Sequence, residues 1–447
     1  MHSICRSTLR MVMAALALIV AGCGPRPSST PSGELATALE AARVRNAAVI
    51  IDFHAPWCYS CYYMARNVLN GPEWEAVLRR AVVLEQDVDS PQGRALQQQW
   101  RVKALPTYLV LDAQGRELGR ILGEQTRKDF YARLDALLDR GSTLEALAAR
   151  VTGRDPESVS AARQVLAAYH ARQDGAGALS WYARLSPDAH DALASDMVAA
   201  QWLARLRFLD AAQRKDAAAC LAWGAEVLRA ELGCDRAYEL SRFLGCAGSH
   251  PQARSLIAAQ RAPMQALLDS GVFGSARCAD ERSVVLTAAD MYAALGEREA
   301  EQALIERAAA DLAQRIGDAV AADRNLADNL RAYLDRLAQL SGDYSRLDAW
   351  MLRLIAAWPG DYVYPFRHGR SLLARGKAAE ALPYLDQAAA HAYGVNRLQV
   401  AEQRVRALQA LGRADDARRI AAEALKANGP WFPEEAARLK ALIRGAA

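Results

Sequence analysis

Between residues 48 and 122 the chain sets short apolar runs, rich in β-branched residues, between longer stretches whose apolar positions recur every three to four residues. That pattern predicts strands separated by helices. The runs 48–53 (AVIIDF), 81–87, 107–111 and 116–122 predict four strands, and the stretches 34–45, 62–69, 91–100 and 126–138 predict helices. In order they make a βαβ unit, then a hairpin and a closing helix. From Gly141 onward the pattern changes to Ala, Leu and Arg at helical spacing, broken at Gly or Pro, which predicts an all-α region. The expected fold class is therefore an α/β domain followed by an all-helical one.

The helical part carries regular punctuation. Segments 292–297 (YAALGE), 340–344 (LSGDY), 373–381 (LARGKAAEA) and 411–417 (LGRADDA) read as helix-turn-helix breaks. Gly342, Gly376 and Gly412 lie 34 and 36 residues apart. This period resembles tetratricopeptide repeats over residues 283–427, with Pro359 and Pro430 placed like repeat ends, and matches them poorly over 141–282. Stacked helix pairs of this kind form a concave surface that binds another protein, so recruitment of a partner or client is expected. The plainer alternative is a helical spacer. Arg367, His368 and Arg370 would give one repeat a basic face, unless they are ordinary solvated positions.

Length and charge narrow the classes. A chain of 447 residues, 52% hydrophobic and 24% charged, is globular and long enough for two to four domains. Its 55 basic and 51 acidic side chains are scattered, with no basic block to follow a phosphate backbone, so nucleic acid is not an expected partner. Arg6 and Arg10 followed by the apolar run 11–20 form an export signal too short to span a bilayer. The run ends in Val20-Ala21-Gly22-Cys23, which resembles the lipobox of bacterial lipoproteins. The resemblance implies cleavage before Cys23, lipidation of Cys23 and a periplasmic position, with Gly24 implying the outer membrane. An ordinary cleaved signal is the alternative. Residues 24–33 (GPRPSSTPSG) form an unpacked tether reaching at most ~35 Å. The expected division is a signal over 1–22, lipidated Cys23 and tether over 23–33, the α/β domain over 34–140, a degenerate helical domain over 141–282 and regular repeats over 283–447.

The chemistry gathers after the first strand. His54-Ala55-Pro56-Trp57 leads into Cys58-Tyr59-Ser60-Cys61 and then a helix. A cysteine at a helix N-terminus meets unpaired N–H groups and the positive end of the dipole, which favours its thiolate. Cys58 is thus the expected nucleophile and Cys61, one turn on, the resolving thiol. A strand that starts at Leu105-Pro106-Thr107 tolerates proline because no ladder bond is lost there, and a cis Pro106 facing the cysteines is the expected arrangement.

WCxxC after a strand, Asp52 six residues before Cys58, and Leu-Pro-Thr before a later strand together resemble thioredoxin. Residues 68–72 (VLNGP) and 87–89 (DVD) bring the resemblance closer to the C-terminal periplasmic domain of DsbD-type disulfide reductases. It covers about a quarter of the chain. It implies that Asp52 is a buried acid moving the proton of Cys61 and that Pro106 shapes the substrate groove. Trp57 and Tyr62 are expected to pack and frame the groove, with Trp57, Tyr59 and Ser60 supporting the site. No cofactor and no metal is implied. Three features depart from thioredoxin. Tyr59-Ser60 leaves the redox poise open, Glu85 replaces a lysine and would raise a neighbouring carboxyl pKa, and Arg66 stands where thioredoxin has a helix-kinking proline.

Other readings of the motif are weaker. CxxC is half of a zinc site, yet this domain has no second CxxC or HxxxH. Copper handling would rest on His54, and Asp52 alone could be a solvated acid at a strand end. Of the eight cysteines, Cys5 leaves with the signal, and Cys220, Cys234, Cys246 and Cys278 are left for two structural disulfides in any of three pairings, or for four buried thiols. The expectation is a membrane-tethered periplasmic thiol-disulfide reductase acting on disulfide-containing or thiol proteins, fed by a transmembrane donor of the DsbD type. An oxidase or isomerase differs only in redox potential. A scaffold lipoprotein with an idle thioredoxin fold is the rival from another class.

Overall fold

The computed structural model of the chain describes residues 33–444, the side chain of Arg140 excepted. The export signal, Cys5, Cys23 and almost all of the tether lie outside the described residues. Among the described residues no helix is long and apolar enough to cross a membrane.

The α/β domain runs α1 (Gly33–Arg45), β1 (Ala48–His54), α2 (Tyr59–Asn67), α3 (Gly71–Arg80), β2 (Ala81–Asp87), α4 (Pro91–Gln99), β3 (Thr107–Leu111), β4 (Glu117–Leu122) and α5 (Arg127–Arg140). The sheet order is β2-β1-β3-β4, with β1 parallel to β2 and antiparallel to β3. Alternation along β1 splits the core. Val49, Ile51 and Phe53 pack with α1 and α4, while Ile50 packs with Met64, Val68, Val77 and Phe130 on the opposite side. Burying each of these large side chains contributes about 1.5–3 kcal/mol.

Two expectations need correction. The helix after the motif begins at Tyr59 rather than at residue 62, because Cys58 caps it and its Sγ accepts from the Cys61 N–H at 3.1 Å. An additional helix, α3, not among the expected ones, follows, with Pro72 in its first turn, a position to which proline is well suited.

Helices fill the rest of the described chain, from Leu144–Ala149 to Pro433–Arg444. Gly342 and Gly376 sit at φ 78° and 77°, a left-handed conformation that glycine adopts without penalty and that ends each helix before the next turns back. Two disulfides join this region: Cys220 with Cys246 (Cα–Cα 6.2 Å) and Cys234 with Cys278 (5.8 Å). The helical array curves around the α/β domain. Arg172, next to the helix Pro156–Ala171, binds Glu117 of β4 at 2.8 Å, and Asp323, at the start of the helix Arg324–Ser341, binds Arg66 of α2 at 2.9 Å. Part of the inner surface expected to receive a partner is therefore filled by the chain's own α/β domain.

Candidate active site

Cys58 and Cys61 form a disulfide with Cα atoms 5.2 Å apart at the N-terminus of α2. Cys58 is only 4% exposed, whereas Trp57 beside it is 40% exposed. The strand register explains the placement of Pro106. Phe53 pairs with Thr107, so Pro106 lies across from the end of β1, the end from which the Cys58 loop springs. The Leu105-Pro106 peptide is cis, as expected, and the Pro106 carbonyl accepts from Gly123 N at 2.9 Å.

Asp52 pairs in register with Tyr108, on the α2 side of the sheet with Ile50. Its Oδ1 is buried without a hydrogen-bond partner among the described residues. Burial pushes its carboxyl up to about 7; His54 pulls it down and Glu85, opposite it on β2, adds to the rise. A carboxyl poised near neutrality beneath the CxxC helix can accept or return a proton in the physiological range. The solvated alternative for Asp52 does not fit this environment.

The surroundings come from the helical array. Asn325 donates to the Tyr59 carbonyl at 2.9 Å and Arg367 to the Trp57 carbonyl at 3.0 Å, gripping the backbone on both sides of Cys58. The Arg282 guanidinium lies 4.0 Å from the centre of the Tyr59 ring, and Arg324 lies 4.3 Å from that of Tyr62. The Tyr59 hydroxyl reaches Asp280 and Ser283, each at 3.4 Å, and burial raises its pKa. Ser60 is buried.

Three buried carboxylates organise these contacts. Asp328 is held by Arg282 at 2.9 Å, by Arg331 at 3.0 Å and by Arg367. Burial alone would raise its pKa, but the three arginines hold it well below the usual range. Asp89 accepts from Trp57 Nε1 and from Asn396, both at 2.9 Å. On the far side of Tyr59, Glu124 accepts from Asn325 at 3.1 Å, and burial, with Asp280 alongside, raises its carboxyl well above the usual range.

Of the residues singled out in the sequence, Asp52, Trp57, Cys58, Tyr59, Ser60, Cys61 and Pro106 gather at one end of the sheet. The four cysteines of the helical region pair among themselves. His368 is corrected: it is buried at 3% exposure, edge-on to Tyr384, and offers no basic surface, whereas Arg370 on the same helix is exposed. Asp89, Glu124, Asn325, Asp328 and Asn396 were missed. Asp89 falls in the 87–89 stretch that carries part of the resemblance, but its partners, like those of the others, lie up to hundreds of residues away, and nothing local marks these five as site residues. Among the described residues no group of three or more His, Cys, Asp or Glu side chains is arranged to hold a metal ion.

Residues 35–138 match the family described as a thioredoxin-like domain. Curated relatives include the thiol:disulfide interchange protein DsbD of Pseudomonas fluorescens, 34% identical over 104 residues, which are 22% of this chain and 18% of the relative. DsbD of Cronobacter sakazakii is 35% identical over 97 residues (21% and 17%), and DsbD 2 of Pseudomonas aeruginosa 31% over 112 residues (24% and 19%). The chain thus spans about a fifth of the length of the curated relatives it matches. The protein is a thioredoxin-like α/β domain followed by an all-helical region.

Proposed function

We propose that this chain is a periplasmic thiol-disulfide oxidoreductase working as a reductase. The observation that carries the reading is the Cys58–Cys61 pair at the N-terminus of α2, and the thiol:disulfide interchange proteins similar to residues 35–138 support it. In the dithiol form the Cys58 thiolate, stabilised by the Cys61 N–H and the helix dipole, attacks a protein disulfide. A bond forms between Cys58 Sγ and one substrate sulfur, the substrate S–S bond breaks, and the departing thiolate takes a proton. Cys61 then gives its proton to Asp52 and attacks Cys58 Sγ, releasing the second substrate thiol. Two electrons pass to the substrate and the chain is left as the Cys58–Cys61 disulfide. Pro106 and Trp57 border the approach to Cys58.

In this reading the dithiol is regenerated by two electrons from a transmembrane donor of the DsbD type. Lipid on Cys23 tethers the domain to a membrane, the outer membrane by the Gly24 signal, and the repeats of 283–447 contribute to partner selection. Equilibration of protein lacking residues 1–23 with glutathione tests the direction. A potential near about −270 mV is expected; one near about −120 mV would make the chain an oxidant. A Cys61→Ala variant expressed in a bacterial periplasm should retain substrate proteins as mixed disulfides on Cys58, and absence of any such adduct counts against the enzymatic reading.

A further inference from the structure

The concave side of the helical array is not wholly filled by the α/β domain. A cavity of about 390 Å³ opens beside Trp57, and a second of about 960 Å³ lies between the helices Arg324–Ser341, Val363–Ala374 and Gly394–Ala410. Both are lined by Arg367 and Arg370, so they meet as one groove that begins next to the reactive cysteine. Arg331, Arg375 and Arg406 line its far part.

The charge in this groove is unbalanced. Asp328 is shared by three arginines, two of which, Arg331 and Arg367, line the groove. Arg370 has no carboxylate partner among the described residues and rests its guanidinium 5.5 Å from the centre of the Phe366 ring. Arg375 and Arg406 each have one carboxylate, Asp348 and Glu402. Asp335 is the carboxylate that lines the larger cavity, and Asp89, engaged by Trp57 and Asn396, is the one that lines the smaller cavity, together with Arg94. The chain as a whole carries only +4, so this excess is local. Leu347, Met351 and Leu373 lie between the arginines and provide apolar contact.

We infer that this groove binds an extended acidic segment of the disulfide-bearing protein substrate, the stretch flanking the cysteine that Cys58 attacks. The inference rests on the oxidoreductase reading and adds to it the class of substrate. A groove that starts at Trp57 must receive chain continuous with the reacting cysteine, and carboxylates spaced along that chain match the arginines. The field of such a cleft also concentrates acidic substrates before contact.

The test uses the Cys61→Ala chain and peptides whose single cysteine is disulfide-linked to thionitrobenzoate. Attack by Cys58 joins peptide to protein and expels coloured thionitrobenzoate, so the second-order rate constant is read directly. Peptides with Glu at the flanking positions should react at least about tenfold faster than the same peptides with Gln at low ionic strength. The advantage should shrink as salt approaches ~0.1 M, where the Debye length is ~10 Å. In Arg370→Glu/Arg406→Glu protein the Glu-to-Gln rate ratio should fall to one or below. Equal rates for the two peptides overturn the inference, as does capture of anionic phospholipid vesicles by a groove indifferent to peptide charge. N-acetylcysteinamide linked to thionitrobenzoate separates the two readings. If this small disulfide does not react, the oxidoreductase reading itself fails; if it reacts while the peptides do not differ, only the groove assignment fails.

Discussion

At Asp52 a single carboxyl ties stability to pH and, in the proposed reaction, to resolution of the mixed disulfide. Its folded pKa of about 7 lies above the ordinary value of about 3.9, so the folded chain holds a proton that the unfolded chain releases. That contribution favours the fold below about pH 4 and is lost as pH rises toward and through 7. Asp52→Asn should therefore raise stability by about 1–4 kcal/mol at pH 8 and change it little at pH 4, measured by urea unfolding. The same variant should slow resolution of the mixed disulfide by about 10²–10⁴-fold and remove the rise in rate through pH 7. Retention of that rise would show that the proton of Cys61 leaves by another route. Asp52 and the two cysteines were legible because they lie within ten residues of one another on a strand, a turn and a helix whose geometry is local. Burial decides the direction of the shift; the charged neighbours that adjust it, His54 and Glu85, are strand residues, so the sign of the Glu85 effect could be read as well.

Between the α/β domain and the helical array, a tight meeting point is the start of the helix Gly394–Ala410. Gly394 has φ 51°, and a Cβ there would stand 1.9 Å from the Asp89 carbonyl, while Val395 N donates to that same oxygen at 2.9 Å. No side chain fits this approach. Gly394→Ala should push the helix start off the loop after β2, cost about 1–3 kcal/mol and speed hydrogen exchange at Val395. Unchanged exchange there would mean that the contact is not kept in solution. The repeat glycines were visible in sequence because a left-handed helix end is a local demand. Gly394 gave no such signal, since its constraint comes from a strand end more than 300 residues away. Arg367 was noticed as a basic position, but its bond to the Trp57 carbonyl is likewise a product of the fold.

Across the whole molecule, the helical region both packs around the α/β domain and holds two covalent clamps. The Cys234–Cys278 bridge ends two residues before Asp280, whose carboxylate reaches Tyr59 beside Cys58. It closes a span of 44 residues, for which chain entropy gives about 2–4 kcal/mol of stabilisation. Cys234→Ser/Cys278→Ser protein should lose that amount in denaturant titration, and hydrogen exchange at Ser283 should rise as the support of Asp280 loosens. An unchanged denaturation midpoint would place the bridge outside the stabilising framework.

By itself the sequence determined the order of the four strands and of the helices other than α3 in the first domain, the helical character of the rest, the CxxC pair with Asp52 on the strand before it, and the proline that precedes β3. Each of these follows from side-chain period, turn chemistry or neighbours a few residues apart. Tertiary structure decided which cysteines of the helical region pair, that Asp328 is buried among three arginines, that His368 faces inward, and that the curved array closes over the Cys58 loop. Those outcomes depend on how far each successive helix pair turns relative to the last. Small rotations add up over hundreds of residues, and no short stretch of sequence carries their sum.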